Sequence, residues 1–400
     1  MKKVQRHYIG SKTITVGGSD ADIAGFDSNA MQVAADALRG SGGVIRLSEG
    51  VFDIWGPVRL SSGVHLTGAG RSTVLKKTPF VSTGILVDVD YGVCEAVVAD
   101  PLGFRAGTGI RIADAEGAGS WSVSTSKIVA VEGNTLHFDR RTIKDYARDS
   151  GGVITNDCSM IEVIKAENVR ISNLTLDGSG DGSHWPDGCR IGAVYLHKAA
   201  SCSVENVLVE RFDGDGISWQ ITEDIAVKNC AVRGCSGYGM HPGTGSLRTI
   251  VEGSSLEGNE ADGMFVCWRV QHGVFRGNTF TSNGWSGVCI GHRDTDNLFE
   301  GNVMRGNGRA GVRVRDEIDC NRADRNIYRG NTVEDNGDGE EGYGFLFEGF
   351  TEGTVLERNT IRDTGSGKQR AGVACRGSIR AIRMDGNLLE GHSMGNTVSI

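Results

Sequence analysis

The sequence predicts an all-β fold, a single-stranded parallel β-helix in which successive coils of the chain stack on one another. In the middle of the chain, a glycine that opens an apolar strand recurs after 23 or 24 residues, and asparagines recur after 24. Intervals of this length indicate stacked repeats, none of which buries its apolar face alone. The segments between the markers are short and rich in Val, Ile, Thr and Phe, so each repeat consists of strands and turns. The marker glycines are Gly216, Gly239, Gly263, Gly287 and Gly311, and the asparagines form two sets, Asn278 and Asn302, and Asn259, Asn283 and Asn307.

Alternation along the strand after each marker glycine predicts which side chains are buried. The first and third positions are mostly apolar and are expected to form the core, whereas the second and fourth positions are expected to point outward. Because neighbouring coils lie ~4.8 Å apart, the outward residues of successive coils should form ladders. One such ladder contains His241, Phe265, Cys289 and Arg313.

An amphipathic helix is predicted near the N-terminus, over residues 27–40. Asp27 provides an N-cap for this helix, and Gly40 lies at its C-terminal end. An open end of a β-helix exposes apolar core and unpaired strand edges, so we expect the helix to cap that end. Short strands between glycine-rich turns, from Gly43 to Gly70, then begin the first coils.

The chain is expected to form one β-helix domain over residues 1–400, with one interruption. The repeat interval is lost over about residues 87–157, which we interpret as an elaborated coil or excursion, and regular coils are expected over 169–390. A long polar loop, residues 178–189, contains His184 and Trp185. Long loops of solenoids often border a binding groove, so this loop is a candidate for ligand contact.

Three motifs carry a resemblance to a known superfamily. The stretches SEGVFDI, VRLSSGVHLTGAGRSTVLKK and NVRISNLTLDG, together with the capping helix, resemble the pectate-lyase-like superfamily from roughly Asp20 to Asn387. The resemblance implies a right-handed parallel β-helix and a carbohydrate-active protein. It does not single out a chemistry, since that superfamily includes lyases, glycoside hydrolases, uronate epimerases and phage tailspikes.

Two shorter similarities do not transfer catalytic roles. The segment from Tyr238 to Gly243 is similar to the Tyr-Gly-Phe-Asp-Pro-His motif of mannuronan epimerases, but only Tyr238, Gly239 and Pro242 match. The strands GVCIGHRD and GVRVRDE are similar to strands of polygalacturonases. The three catalytic aspartates of that family are not cleanly present.

The densest group of reactive side chains lies on the coils around residues 267–317. The predicted catalytic residues are His292, Arg313, Arg315, Asp294 and Glu317. Removing the proton next to a uronate carboxylate requires a base and a cation that stabilises the growing enolate charge. We expect His292 to be the base, with its ring oriented by Asp294, and the two arginines to be the cation.

A second set of residues is predicted to bind substrate. It consists of His241, Gln220, Asp215, Asp262, Cys267, Trp268, Arg269 and Trp185. His241 lies three coils, about 14 Å, from Arg313 by strand spacing, which suits a contact outside the reacting centre. The tryptophans, including Trp285, are candidate platforms for stacking sugar rings.

The favoured function is therefore β-elimination of a uronate-containing polysaccharide or oligosaccharide by a polysaccharide lyase. One alternative is a glycoside hydrolase that uses paired carboxylates in the same groove, Asp294 with Glu317 or Asp215 with Asp262. Another is a non-catalytic, glycan-binding or tailspike-like solenoid. Asp294 and Asp296 could bind Ca²⁺ through their oxygens; otherwise no metal is expected, and no nicotinamide, flavin or nucleotide cofactor.

Charge and apolar pattern limit the partners. The net charge of −8 disfavours a general nucleic-acid binder, and the absence of a run of about 18 apolar residues disfavours a membrane protein. Met1-Lys2-Lys3 is not followed by an apolar signal core, so we expect a cytoplasmic protein if the chain is complete and a secreted one if a signal was removed. The ten cysteines show no CxxC spacing and are expected to be free thiols, which fits a reducing compartment. The pattern does not indicate an oligomeric state.

Overall fold

Short strands joined by turns make up almost all of the computed structural model, which describes residues 12–115, 121–180, 184–186, 188–376 and 382–400. The chain divides into two units. The first contains the residues up to Tyr195 and Arg211–Asp215, and the second contains Leu196–Glu210 and Gly216–Ile400. No helix among the described residues is long and apolar enough to cross a membrane.

The first unit begins with parallel strands and the predicted helix. Asp27 is the N-cap, because its carboxylate accepts the N–H of Ala30 at 2.8 Å, and the helix spans Ser28–Ala37. Met31, Ala34 and Ala35 are buried, and Gly40, with φ of +84°, takes the left-handed conformation that favours glycine just past the helix. The parallel strands of this unit are Thr13–Gly17, Ile23–Ala24, Gly43–Leu47, Gly50–Ile54, Val58–Leu60, Val64–Thr67, Thr73–Lys77, Ile161–Ile164 and Arg170–Asp177.

The expected excursion is a separate antiparallel sheet within the first unit. It has six strands, in the spatial order Ser82–Gly84, Val153–Thr155, Gly109–Ala113, Ser124–Glu132, Thr135–Phe138 and Glu95–Val97. The sheet has its own apolar cluster, which includes Ile110, Ile128, Leu136 and Tyr146. The repeat interval disappears here because antiparallel hairpins replace the parallel coil.

The second unit consists of parallel coils that form three ladders of strands. The first ladder contains Ala226–Lys228, Ile250–Glu252, Val274–Arg276, Leu298–Glu300, Ile327–Arg329, Thr354–Glu357 and Ile382–Asp385. The second contains Ser203–Glu210, Ala231–Arg233, Ser255–Glu257, Thr279–Thr281, Val303–Arg305, Thr332–Glu334, Thr360–Arg362 and Leu388–Glu390. The third contains Met240–Gly243, Met264–Phe265, Ser286–Ile290, Ala310–Val314, Tyr343–Phe347, Ala371–Cys375 and Gly395–Ser399. Two further strands, Gly192–His197 and Asp215–Gln220, cross the boundary between the units.

The marker asparagines form hydrogen-bonded ladders inside the coils of the second unit. Asn302 donates from Nδ2 to the carbonyl of Phe275 at 2.9 Å and to Oδ1 of Asn331 at 3.0 Å, and its own Oδ1 accepts the backbone N–H of Asn278 at 2.9 Å. The same pattern of bonds recurs in the second set of marker asparagines, Asn259, Asn283 and Asn307. An amide is required at each step because it satisfies a buried carbonyl and a buried N–H together.

The predicted core positions are confirmed. The first residues after the marker glycines, Ile217, Met240, Met264, Val288 and Val312, are fully buried. Within the described residues all ten cysteines are free thiols, and eight of them are buried. In these buried positions a thiol packs as a small hydrophobic side chain.

Candidate functional site

The third ladder has the register that the sequence predicts. Phe265 pairs with Cys289, and Cys289 pairs with Arg313. In the coil before Phe265, His241 follows Met240, which pairs with Met264. The sequence therefore placed the ladder residues on the correct coils.

Several of these side chains are nevertheless covered. The ring of Tyr238 stacks on that of Phe265 at 4.2 Å, and His241 lies edge-on to both rings at 5.5 and 5.3 Å. His241 is buried. The expectation that it contacts substrate directly does not fit this position.

Four other predicted substrate-binding residues are also buried. They are Gln220, Asp215, Asp262 and Cys267. Of the eight, only Trp268, Arg269 and Trp185 are exposed. Trp185 belongs to the first unit, where its Nε1–H donates to Oδ1 of Asp215 at 3.2 Å.

Arg315 is mostly covered by neighbouring groups and is not the open, outward cation that we expected. Its side chain is 14 % exposed, and its Nη1 donates to the carbonyl of Val266 at 3.1 Å. The guanidinium lies over the ring of Phe265, with Cζ 4.5 Å from the ring centroid. It occupies space that exists only because residue 291 is glycine, since a Cβ there would lie 2.6 Å from Nε of Arg315.

Arg313 is also engaged. Its Nε donates to Oε2 of Glu348 at 2.8 Å, and the buried Glu348 carboxylate also accepts a hydrogen bond from Arg309 at 2.8 Å. Arg309 forms a further ion pair with Glu341 at 2.7 Å. The two arginines chosen from the sequence therefore serve mainly to compensate buried or half-buried charges.

Asp294 does not orient His292. Its two oxygens accept the backbone N–H groups of Val270 and Gly291, both at 2.9 Å, and Nη2 of Arg315 lies 3.7 Å from Oδ2. The side chain is fully buried, and burial raises the pKa of this carboxyl to about 7. Asp296 instead forms an ion pair with Arg325 at 2.7 Å. Both carboxylates of the predicted Ca²⁺ site thus already have partners, and no group of three or more His, Cys, Asp or Glu side chains in the described part of the chain could hold a metal ion.

The partner of His292 is Glu317. Nδ1 of His292 lies 3.2 Å from Oε2 of Glu317, and the backbone N–H of His292 donates to Oε1 at 3.2 Å. The imidazole stacks on the ring of Trp268, with centroids 4.7 Å apart and an interplanar angle of 22°. The His292 side chain is 24 % exposed and Trp268 is 46 % exposed, so this group is open to solvent.

Two exposed arginines directly follow the stacked residues in the chain. Arg269 follows Trp268 and Arg293 follows His292, and the backbone N–H of Arg269 donates to the carbonyl of His292 at 2.8 Å. Left-handed φ angles of 62° at Trp268, 67° at Arg269 and 60° at Arg293 shape these turns. Arg269 was predicted only to bind substrate, and Arg293 was not among the predicted site residues. Their separation of 24 residues, the same as the marker interval, is the signal that could have found the pair.

Asp262 makes the stability of the protein depend on pH. Its Oδ1 accepts the N–H of Ser286 at 2.8 Å, whereas its Oδ2 has no hydrogen-bond partner among the described residues. Burial raises its pKa to about 6. The unfolded value is ~3.9, so between these pH values the folded state binds more protons than the unfolded state, and stability falls as pH rises.

We predict that Asp262→Asn removes this pH dependence. The amide oxygen keeps the bond to Ser286, and the buried charge is lost, so the free energy of unfolding above pH 6 should rise by up to roughly 3 kcal/mol. Urea unfolding across this pH range measures the effect. Asp296→Asn is the control. The hydrogen bond with Arg325 lowers the pKa of Asp296, so this substitution should change the pH dependence of stability in the opposite direction. Equal pH slopes for wild type and Asp262→Asn would contradict the prediction.

Comparisons with known proteins agree on the fold. The sequence model of the family described as "Right handed beta helix region" matches residues 106–271, 152–321 and 265–398, which together cover more than half of the chain. No curated protein sequence matches the chain.

Solved structures give the same result at low identity. The chain is similar to the A-module of mannuronan C-5 epimerase AlgE4 from Azotobacter vinelandii, with 16% identity over 93% of this chain and 95% of that one and a TM-score of 0.58. It is also similar to the Dettilon tailspike protein, with 14% identity over 92% of this chain and 58% of that one and a TM-score of 0.57. A third similar structure is a glycoside hydrolase, with 10% identity over 97% and 96% and a TM-score of 0.54. At such identities the similarity is one of fold.

Proposed function

The chain belongs to the right-handed β-helix family, and we propose that it is a carbohydrate-active enzyme that cleaves a uronate-containing polysaccharide or oligosaccharide by β-elimination. The observation that carries the proposal is the His292–Glu317 pair, 3.2 Å apart, stacked on the exposed ring of Trp268. Similar folds named mannuronan C-5 epimerase and glycoside hydrolase support a saccharide substrate.

His292 is the base in this proposal. Glu317 accepts the Nδ1–H of His292, which leaves the Nε2 lone pair to take the proton from the carbon next to the uronate carboxylate. The carboxylate of Glu317 then stabilises the imidazolium that forms. Its role is the orienting one that we had assigned to Asp294.

Arg269 and Arg293 replace Arg313 and Arg315 as the cationic groups. Each is exposed and directly follows a member of the Trp268–His292 stack in the chain, and Nε of Arg293 donates to the carbonyl of Cys320 at 2.8 Å. In this proposal their guanidinium groups pair with the substrate carboxylate and stabilise the enolate charge. The C–H bond next to the carboxylate breaks, the C–O bond at the β carbon breaks, and a C=C bond forms. The leaving oxygen takes up a proton from water, and His292 returns its proton to water after the elimination. Trp268 provides an aromatic face for the sugar ring.

The glycoside hydrolase alternative has less support, because it requires two carboxylates that the substrate can reach. Asp294, Asp215 and Asp262 are fully buried, so both pairs suggested by the sequence lack an accessible partner. The remaining alternative is a binding protein without turnover, a reading that the fold similarity to a tailspike protein keeps open.

The proposal predicts an unsaturated product. We expect that, in a screen of defined uronate polysaccharides, at least one substrate yields fragments with the ultraviolet absorbance of a conjugated C=C bond, and that excess EDTA leaves the rate unchanged. Product masses provide the control, because hydrolysis adds one water and elimination does not. Fragments that carry the added water would support hydrolysis, and a substrate that binds without being cleaved would support the binding protein.

A further inference from the structure

A cavity in the first unit contains a histidine between two aspartates. Its volume is about 390 Å³, and its lining includes Lys77, Phe80, Asp157, Ser179, His184 and Asp213. A volume in this range is typical of small-molecule sites. None of these residues belongs to the site proposed above.

Asp157 holds the histidine in place. Nε2 of His184 lies 2.8 Å from Oδ1 of Asp157, whose side chain is 3 % exposed and also accepts a hydrogen bond from Thr155 at 2.8 Å. The hydrogen bond with Asp157 raises the pKa of His184. Burial opposes ionisation of Asp157, but His184 and the positive charge of Lys77 lower its pKa. The buried carboxylate therefore fixes the ring and favours its cationic form.

A donor and an acceptor then lie side by side on the cavity wall. Nδ1 of His184 is 3.7 Å from Oδ2 of Asp213. A hydroxyl group matches this pair, because it accepts from Nδ1–H and donates to the carboxylate. A ligand carboxylate would be repelled by Asp213, and a ligand ammonium would be repelled by His184 and Lys77.

The rest of the cavity fits a polyhydroxyl ring. Lys77 lies on the same wall as Asp157 and Asp213, and His184 stands between the two carboxylates, so groups of both signs offset one another and the wall does not select an ion of one sign. Phe80 packs against the His184 ring at 4.2 Å and is itself 48 % exposed. An exposed aromatic ring beside hydrogen-bonding groups provides the apolar and the polar surface of a sugar site.

We infer that this cavity is a saccharide-binding site that takes a neutral hexose-type ring, with Phe80 against one face of the ring and His184 with Asp213 on a hydroxyl. The site is separate from the uronate chemistry proposed for His292. It adds recognition of a neutral sugar to the function of the chain, and its test requires no turnover.

Binding measured by calorimetry on the full chain tests the inference. The probes are cellotriose, maltotriose and mannotriose, with trigalacturonate as the charged comparison. We expect at least one neutral trisaccharide to bind, and Phe80→Ala and Asp213→Asn each to weaken it about tenfold, the scale of one aromatic contact or one hydrogen bond to a charged group. Tyr91→Ala removes an exposed aromatic side chain of the same unit outside the cavity and should leave the affinity unchanged.

Circular dichroism and melting temperature establish that the variants are folded. If Phe80→Ala does not fold, Asp213→Asn and His184→Gln decide the outcome. The inference is overturned if no neutral trisaccharide binds at millimolar concentration, if only trigalacturonate binds, or if binding is insensitive to the folded cavity variants.

Discussion

Replacing His292 by alanine is expected to lower kcat for elimination by at least ~100-fold, the scale of lost general-base catalysis. The ring is held by Glu317 at 3.2 Å and stacks on Trp268 at 4.7 Å, so its loss removes the proton acceptor without opening the core. Initial rates are followed through the ultraviolet absorbance of the unsaturated product. The prediction applies to whichever uronate substrate the screen identifies.

Two variants distinguish a base from a structural residue. Glu317→Gln should reduce kcat less than His292→Ala and shift the pH profile of kcat, because the carboxylate no longer stabilises the imidazolium. His272→Ala removes an exposed histidine outside the site and should have no effect. If His292→Ala retains kcat while His241→Ala loses it, the reacting centre lies two coils towards the N-terminus and the proposed base is wrong.

Arg315→Ala is expected to lower the free energy of unfolding by roughly 3–5 kcal/mol, the cost of leaving a buried charge without its partner. The guanidinium bonds to the carbonyl of Val266, covers Phe265 and lies 3.7 Å from the fully buried Asp294. Its removal leaves a gap in front of Gly291 and a buried carboxyl without a cation. Equilibrium unfolding in urea measures the change.

Arg325→Ala is the matched control for this experiment. Arg325 also pairs with an aspartate, Asp296, but its side chain is 57 % exposed, so we expect a loss of at most ~1 kcal/mol. A stable Arg315→Ala protein that has lost turnover would restore the interpretation of Arg315 as a catalytic cation. A destabilised protein would instead assign Arg315 a structural role, in covering Phe265 and pairing with Asp294.

The sequence by itself determined the repeat and its register. Glycine and asparagine markers at a constant interval require stacked coils, since each coil can satisfy its buried amides and apolar side chains only through its neighbours. The correct pairing of Phe265 with Cys289 and of Cys289 with Arg313 followed from counting residues. The N-cap Asp27 could also be predicted from the sequence, because a cap depends only on the first turn of its own helix.

Only the tertiary structure decided which outward side chains are available to a substrate. Alternation along a strand predicts that Arg315 and His241 point out of the coil, but it does not predict whether other groups cover them. The Arg315 side chain extends across Gly291 to the ring of Phe265, and the ring of Tyr238 covers His241. Both contacts form because long side chains reach one coil spacing or more along the ladder. Glu317 rather than Asp294 became the partner of His292 for a related reason. Asp294 is next to His292 in sequence, but its oxygens bond to backbone N–H groups of its own and the preceding coil.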